Sequence, residues 1–256
     1  MENIDYILDF TVHLGREMLK SGANLERVER SIELICKTYK LREVSISLMS
    51  SSITVSAREK GKPAKVRQVK VPSFEIHLER LRRLNDLSYR VCSEKPQPIR
   101  LEDMLYEADM TRSYSSKTLL FGYVLAMSCL CRIFEGGIKD IIVADISTVV
   151  IFLVTSRLAR EHLNRIITNV ISMFLACSIA LFFTYIGFAK NFYAIIITNA
   201  FYLIPGVPMV NAVRNILCGN EMNGIIELIK VFLEVITIVI GLNLAIFFFG
   251  QWYTVG

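Results

Sequence analysis

Residues 203–215, LIPGVPMVNAVRN, interrupt an apolar run that begins near Phe192. Pro205 and Pro208 each lack a backbone N–H, and each disfavours helix geometry in the residue before it. Gly206, between them, removes the remaining stiffness. Asn211, Arg214 and Asn215 follow at once. Carbonyls freed by such a break are costly in hydrocarbon unless they face protein or a water-filled cavity. The stretch therefore reads in one of two ways. It is a proline kink or loop at the end of a span, or it is a broken helix that places main-chain dipoles and the Asn211 and Arg214 side chains at a solute. The choice depends on whether the surrounding chain lies in a membrane.

The charge distribution bears on that question. Residues 1–116 hold 20 of the 29 Lys and Arg and 17 of the 24 Asp and Glu, so the last 140 residues carry only 9 basic and 7 acidic side chains. Mean hydropathy is positive, +0.44. This segregation predicts a polar domain at 1–116 followed by a membrane domain at 117–256. The net charge of +5 is spread among acids rather than gathered in a patch, which argues against a nucleic-acid surface. MENIDYILDF has no basic region and no cleavage site, so no signal peptide is expected and the polar domain should stay cytoplasmic. Cysteines at 36, 92, 129, 131, 177 and 218 form no CxxC pair and lie far from the histidines; free thiols are expected, with no metal site and no cofactor.

Within 1–116, residues 4–20 and 24–39 show helical apolar spacing, separated by SGAN as a stop and a fresh cap. VSISLMSSSITVSARE and VRQVKV alternate and are rich in β-branched residues, predicting two or three strands with a turn at GKP. A helix is expected over 74–92 after Pro72-Ser73, and a short acidic helix over 101–109. The second half holds apolar runs at about 118–134, 139–156, 166–188, 192–210 and 225–249, each near the ~20 residues a span requires. The first two are short and read as a hairpin turning at EGG. The expected fold class is thus an α-helical polytopic membrane protein, about five transmembrane helices with one broken, carrying an N-terminal cytoplasmic α+β domain. Arg157, Arg160 and Arg165 in one connecting loop, with Arg214 on the same side, place residues 1–116 inside. The carboxyl terminus then falls outside, with Trp252 and Tyr253 at the interface.

Polar groups inside the apolar runs are the functional candidates. Glu227, Lys230 and Glu234 share one helical face, and Glu234 lies roughly 14 Å along the axis from residue 225, near mid-bilayer. Glu234 is a candidate for coupling or gating, or else a salt-bridge partner of Lys230. Arg132, Asp140 and Asp145 flank the EGG turn, where Arg132 can pair with either acid or all three can serve a pathway. Asn169 and Asn199 are either interhelical glue or ligands. No GxSxG, HExxH or GxxxxGK[ST] is present, and Ser50–Ser52 with His77 form no specific pair, so an enzyme is not expected.

These residues resemble a known family. LGREMLKSGANLERVERSIELIC is similar to the opening helices of the threonine/serine exporter (ThrE) family, with Gly22, Arg27 and Glu29 in its pattern. Gly136, Gly137 and Asp140 match its Gly-Gly turn. Its most specific element, P-G-x-P-x-x-N-A-x-R, is matched by Pro205, Gly206, Pro208, Asn211, Ala212 and Arg214. About five spans rather than ten resembles the split, YjjP-like form. That implies a second, YjjB-like membrane subunit of about five spans, assembly as a hetero- or homo-oligomer, and export of threonine, serine or dicarboxylates such as succinate across the inner membrane. On this reading Pro205, Gly206, Pro208, Asn211, Arg214 and Asn199 contribute to binding a small carboxylate. The rival is a membrane-anchored regulatory or sensory protein whose cytoplasmic domain binds a ligand or partner.

Overall fold

The computed structural model describes residues 3–49, 51–71, 76–110, 114–161 and 163–250. The chain forms two compact units: Met1–Arg112 with Val207–Leu228, and Ser113–Gly206 with Ile229–Gly256. Charge segregation alone gave no sign that residues 207–228 group with the polar unit. Trp252, Tyr253 and Pro72-Ser73 lie outside the described residues.

In the first unit, α1 (Asn3–Lys20) and α2 (Leu25–Thr38) form where the apolar spacing predicts them. SGAN between them is a helix stop with a fresh start. Gly22 has φ +97°, a left-handed conformation favouring glycine. The Gly22 N–H donates to Leu19 O and the Ala23 N–H to Met18 O, the paired bonds of a Schellman motif. Two residues later the Asn24 side chain accepts the Arg27 N–H at 3.2 Å and caps α2. Strands β1 (Arg42–Met49), β2 (Ser52–Arg58) and β3 (Lys65–Lys70) make an antiparallel sheet in that order. Alternation puts Ile53, Val55 and Ala57 of β2 in the core with Phe10, Leu14, Ile32 and Leu84. Gly15 lets α1 lie close to the sheet, since a Cβ there would be 3.0 Å from Ile53 Cδ1.

The remaining helices of this unit are α3 (Leu78–Glu94) and α4 (Leu101–Asp109). The helix expected from residue 74 begins at Leu78, because His77 acts as the cap: its Nδ1 accepts the Arg80 N–H at 3.1 Å. Arg80 joins three elements. Its guanidinium pairs with Glu17 of α1 and Asp109 of α4, and the Arg80 and Glu17 side chains are only 15% and 9% exposed. Arg16 and Lys20 remain beside Glu17 when Arg80 is lost. Arg80→Ala should therefore cost about 3 kcal/mol. The readout is earlier cleavage of the purified full-length protein in limited proteolysis, with new cuts within 3–109. All six cysteines are free, and burial pushes the Cys36 thiol up to about 12.

The second unit contains α5 (Ser116–Ile133), α6 (Ile138–Arg160), α7 (Arg165–Tyr185), α8 (Phe192–Leu203) and most of α10 (Glu221–Phe249). Four of these, α5, α6, α7 and α10, are long and apolar enough to cross a membrane. The run over 192–210, expected as the broken span, is interrupted. Helix α8 ends at Leu203, Ile204 is extended (φ −63°, ψ 126°), and α9 (Gly206–Leu217) starts after Pro205 with a 60° bend. Counted together, the bent pair is a fifth span. Small buried residues, Ala144, Ala176, Ala180 and Ala194, let the helices approach closely.

The α5–α6 turn shows how its glycines work. Glu135, not a glycine, takes the left-handed position (φ 62°). Its N–H donates to Arg132 O and the Gly136 N–H to Cys131 O, again a Schellman pair. Gly136 is needed for space, because a Cβ there would lie 2.5 Å from Cys131 Sγ.

Candidate solute site in the helical unit

Asn164 caps α7, its Oδ1 accepting the Ile166 N–H at 3.1 Å. The helix therefore starts with Arg165, and Arg165, Thr168 and Asn169 follow at i, i+3 and i+4 on one face. They meet Thr155 and Ala159 of α6, Tyr123 of α5, and Tyr202 and Leu203 of α8 around a cavity of about 330 Å³. That volume suits a small metabolite. The Tyr123 and Tyr202 rings are 4.8 Å apart and tilted by 53°. Across from α7, Glu234 of α10 places Oε2 3.1 Å from Arg165 Nε. The terminal guanidinium nitrogens of Arg165 have no partner among the described residues. With its Nε in an ion pair and its Nη pair open, Arg165 presents the edge that grips a second carboxylate bidentately, while Glu234 Oε2 is buried without a hydrogen bond.

The residues singled out from sequence occupy several places. Glu234 is half-buried and pairs with Arg165; Lys230, the alternative partner the sequence left open, is exposed and is not in an ion pair with it. Asn199 is fully buried, and neither amide atom has a partner. Pro205 and Gly206 lie two and three residues after Leu203 of the cavity wall.

Pro208, Asn211 and Arg214 belong to the first unit. There Asn211 Nδ2 donates to Gly22 O at 3.3 Å, and Arg214 Nη2 lies 3.1 Å from Glu26 Oε2. That arginine holds the exposed Glu26 carboxyl below its ordinary range. Asn215 donates to Glu227 at 2.9 Å and Asn223 to Leu48 O at 3.0 Å. The proline-asparagine-arginine segment thus meets the SGAN turn, while Arg27 and Glu29 stay exposed on α2.

At the EGG turn the expected pairing of Arg132 with Asp140 or Asp145 does not form. Asp140, only 3% exposed, is occupied by main-chain donors: Gly137 at 2.9 Å, Lys190 at 2.7 Å and Asn191 at 3.1 Å. Asp145 accepts the Ser128 hydroxyl at 2.9 Å, and Arg132 reaches only Gly136 O at 3.4 Å. Asp140 therefore ties the start of α6 to the α7–α8 loop. Asp140→Asn replaces an acceptor oxygen with a donor, at about 1.5–3 kcal/mol for each charged bond lost. A lower yield of monodisperse protein on size exclusion is the expected result.

Sequence reasoning missed Arg165 as a site residue, reading it only as a loop charge, and missed Tyr123, Thr155, Thr168 and Tyr202. The available signal was RIITN at 165–169, a cation, a hydroxyl and an amide on one stripe of an apolar helix. Among the described residues, no group of three His, Cys, Asp or Glu is placed to hold a metal ion.

A family model described as "Putative threonine/serine exporter" (ThrE) matches residues 9–249. Searches of the curated proteins and of the solved structures gave no match.

Proposed function

Because this chain belongs to the threonine/serine exporter (ThrE) family, we propose that it is a subunit of a secondary transporter that exports small carboxylate-bearing metabolites across the cytoplasmic membrane. It is an exporter-type, multi-pass membrane protein. The observation that supports the finer reading is the Arg165 guanidinium, open on its Nη edge at the wall of a cavity that also carries Thr155, Thr168 and Asn169. Threonine or serine, or a dicarboxylate such as succinate, carries the group that this edge recognises. Glu234 acts in coupling, because its charge sets how firmly Arg165 is held away from a solute.

The break at Pro205 lets α8, whose Tyr202 and Leu203 line the cavity, end independently of α9. Asn211 and Arg214 link α9 to the SGAN turn, and on this reading the first 116 residues are cytoplasmic and have a handle on the broken helix. Asp140 and Asp145 hold the opposite end of the α5–α6 hairpin. A second membrane subunit of about five spans completes the pathway. The anchored-regulator reading has less support: the open cavity of about 300 Å³ in the polar unit mixes Arg83 and Arg90 with Asp86 and Glu107, with no dominant sign.

The test is efflux from cells preloaded with labelled serine or succinate. Cells making the chain with its partner subunit should lose label faster than cells making either alone, and a protonophore should remove the difference. Equal loss in all strains rejects the reading.

A further inference from the structure

Helix α10 has two unlike faces. On one, Ile238 and Ala245 join the core of the helical unit, and Gly241 lies so close to α7 that a Cβ there would be 2.5 Å from Val170 O. On the opposite face, Ile229, Phe232, Ile236, Val239, Asn243 and Ile246 follow one another at intervals of 3, 4, 3, 4 and 3 residues. That is a repeat of about 3.5 residues, the period at which two helices keep one seam in contact along their length. The five apolar members of this seam are 39–66% exposed on the single chain.

Apolar side chains facing lipid need no partner, but Asn243 does. The other two asparagines inside helices of this unit, Asn169 and Asn199, are buried; Asn243 is exposed. Its Nδ2 donates to Val239 O of its own helix at 2.8 Å, which uses one amide hydrogen. The second hydrogen and Oδ1 have no partner among the described residues. Leu242, Leu244 and Ala245 adjoin it in sequence, and roughly 9 Å of apolar helix separates it from Phe249. An amide left half-satisfied in hydrocarbon is costly, and acyl chains offer it neither donor nor acceptor.

What covers this face must therefore present a donor and an acceptor together, at the depth of Asn243, on an otherwise apolar and uncharged seam. A second copy of the chain does all of this. Every copy inserts in the same orientation, so a two-fold axis along the membrane normal sets each seam residue beside its own counterpart. An amide is complementary to itself, the Nδ2 of one donating to the Oδ1 of the other. A single asparagine in an apolar heptad seam is also the device that fixes register between paired helices. We infer that this face of α10 joins two copies of the chain side by side in the membrane, with the two Asn243 amides setting the register. The inference needs only that α10 crosses a membrane and is independent of what the Arg165 cavity binds.

The experiment is oxidative cross-linking of the full-length protein, with any subunit that copurifies, reconstituted in lipid vesicles. Each variant lacks the six native cysteines and carries one new one. Copper phenanthroline should link Val239→Cys, on the seam, into a covalent dimer of the chain. Leu244→Cys, also exposed but about 100° round the helix from Asn243, should stay unlinked. Adding Asn243→Leu to Val239→Cys should raise the protein-to-lipid ratio needed for half-maximal linking about tenfold. Asn243→Gln keeps an amide near the same depth and should link as Val239→Cys alone does. No link at Val239→Cys, equal linking at Leu244→Cys, or a link to a different polypeptide overturns the pairing. Linking that Asn243→Leu leaves unchanged overturns it as well, and none of these results touches the role given to Arg165.

Discussion

Arg165→Gln should reduce solute efflux roughly tenfold to a hundredfold, the range expected when charge-assisted hydrogen bonds of about 1.5–3 kcal/mol are lost. The effect has two sources that must be separated. Glutamine removes the Nη edge that faces the cavity, and it also strips Glu234 of its partner. A carboxylate left alone in an apolar bundle destabilises by itself. The double variant Arg165→Gln with Glu234→Gln removes the pair together. It should recover the thermal stability of the wild-type protein and remain inactive. Arg165→Lys keeps the charge without the planar fork and should retain only part of the affinity, raising the apparent KM more than it lowers the maximal rate. Efflux from preloaded vesicles, with folded protein quantified in parallel, reads all three. Wild-type efflux by the double variant would remove Arg165 from the site.

Gly241→Val should prevent the helical unit from forming at all. A Cβ at position 241 would sit 2.5 Å from Val170 O and 3.0 Å from Met173 Cβ, so α7 and α10 touch backbone to backbone there. A main-chain carbonyl cannot rotate out of the way, so the helices must separate. Overpacking of this kind costs about 1–3 kcal/mol, more when the backbone has to move. The same two helices carry Arg165 and Glu234, so separation also pulls the ion pair apart. Aggregation on fluorescence-detected size exclusion is the expected result, even for the single methyl of Gly241→Ala. Gly122→Ala is the control, because nothing lies within 4 Å of its Cβ position. It should elute as the wild-type protein does.

Much of the architecture is legible in the chain because local signals and global fold agree. SGAN stops one helix and caps the next with its own atoms, so its meaning survives without tertiary context. The Pro205 break is of the same kind, since no packing can restore a missing N–H. The acidic helix at 101–109 begins and ends where turn residues predict.

Other features depended on partners that sequence distance hides. Arg214 is a cation after an apolar run; that it meets Glu26, 188 positions earlier, is a property of the fold. Glu234 was legible as an intramembrane acid, yet Lys230, four residues away and the natural guess, is not its partner. Arg165 was discounted because a basic residue at a helix start has an ordinary topological explanation. The cavity exists only where α5, α6, α7 and α8 converge, and no single stretch of residues encodes it.

The most direct measurement is solute protection of a thiol placed in that cavity. In a variant lacking the six native cysteines, Ala159→Cys puts a sulfhydryl on the wall beside Arg165. Serine should slow its conversion to a mixed disulfide by a small charged thiosulfonate, and the slowing should vanish when Arg165→Gln is added. Thiol modification indifferent to serine, or protected equally with and without Arg165, would contradict the claim that this arginine holds the solute's carboxylate.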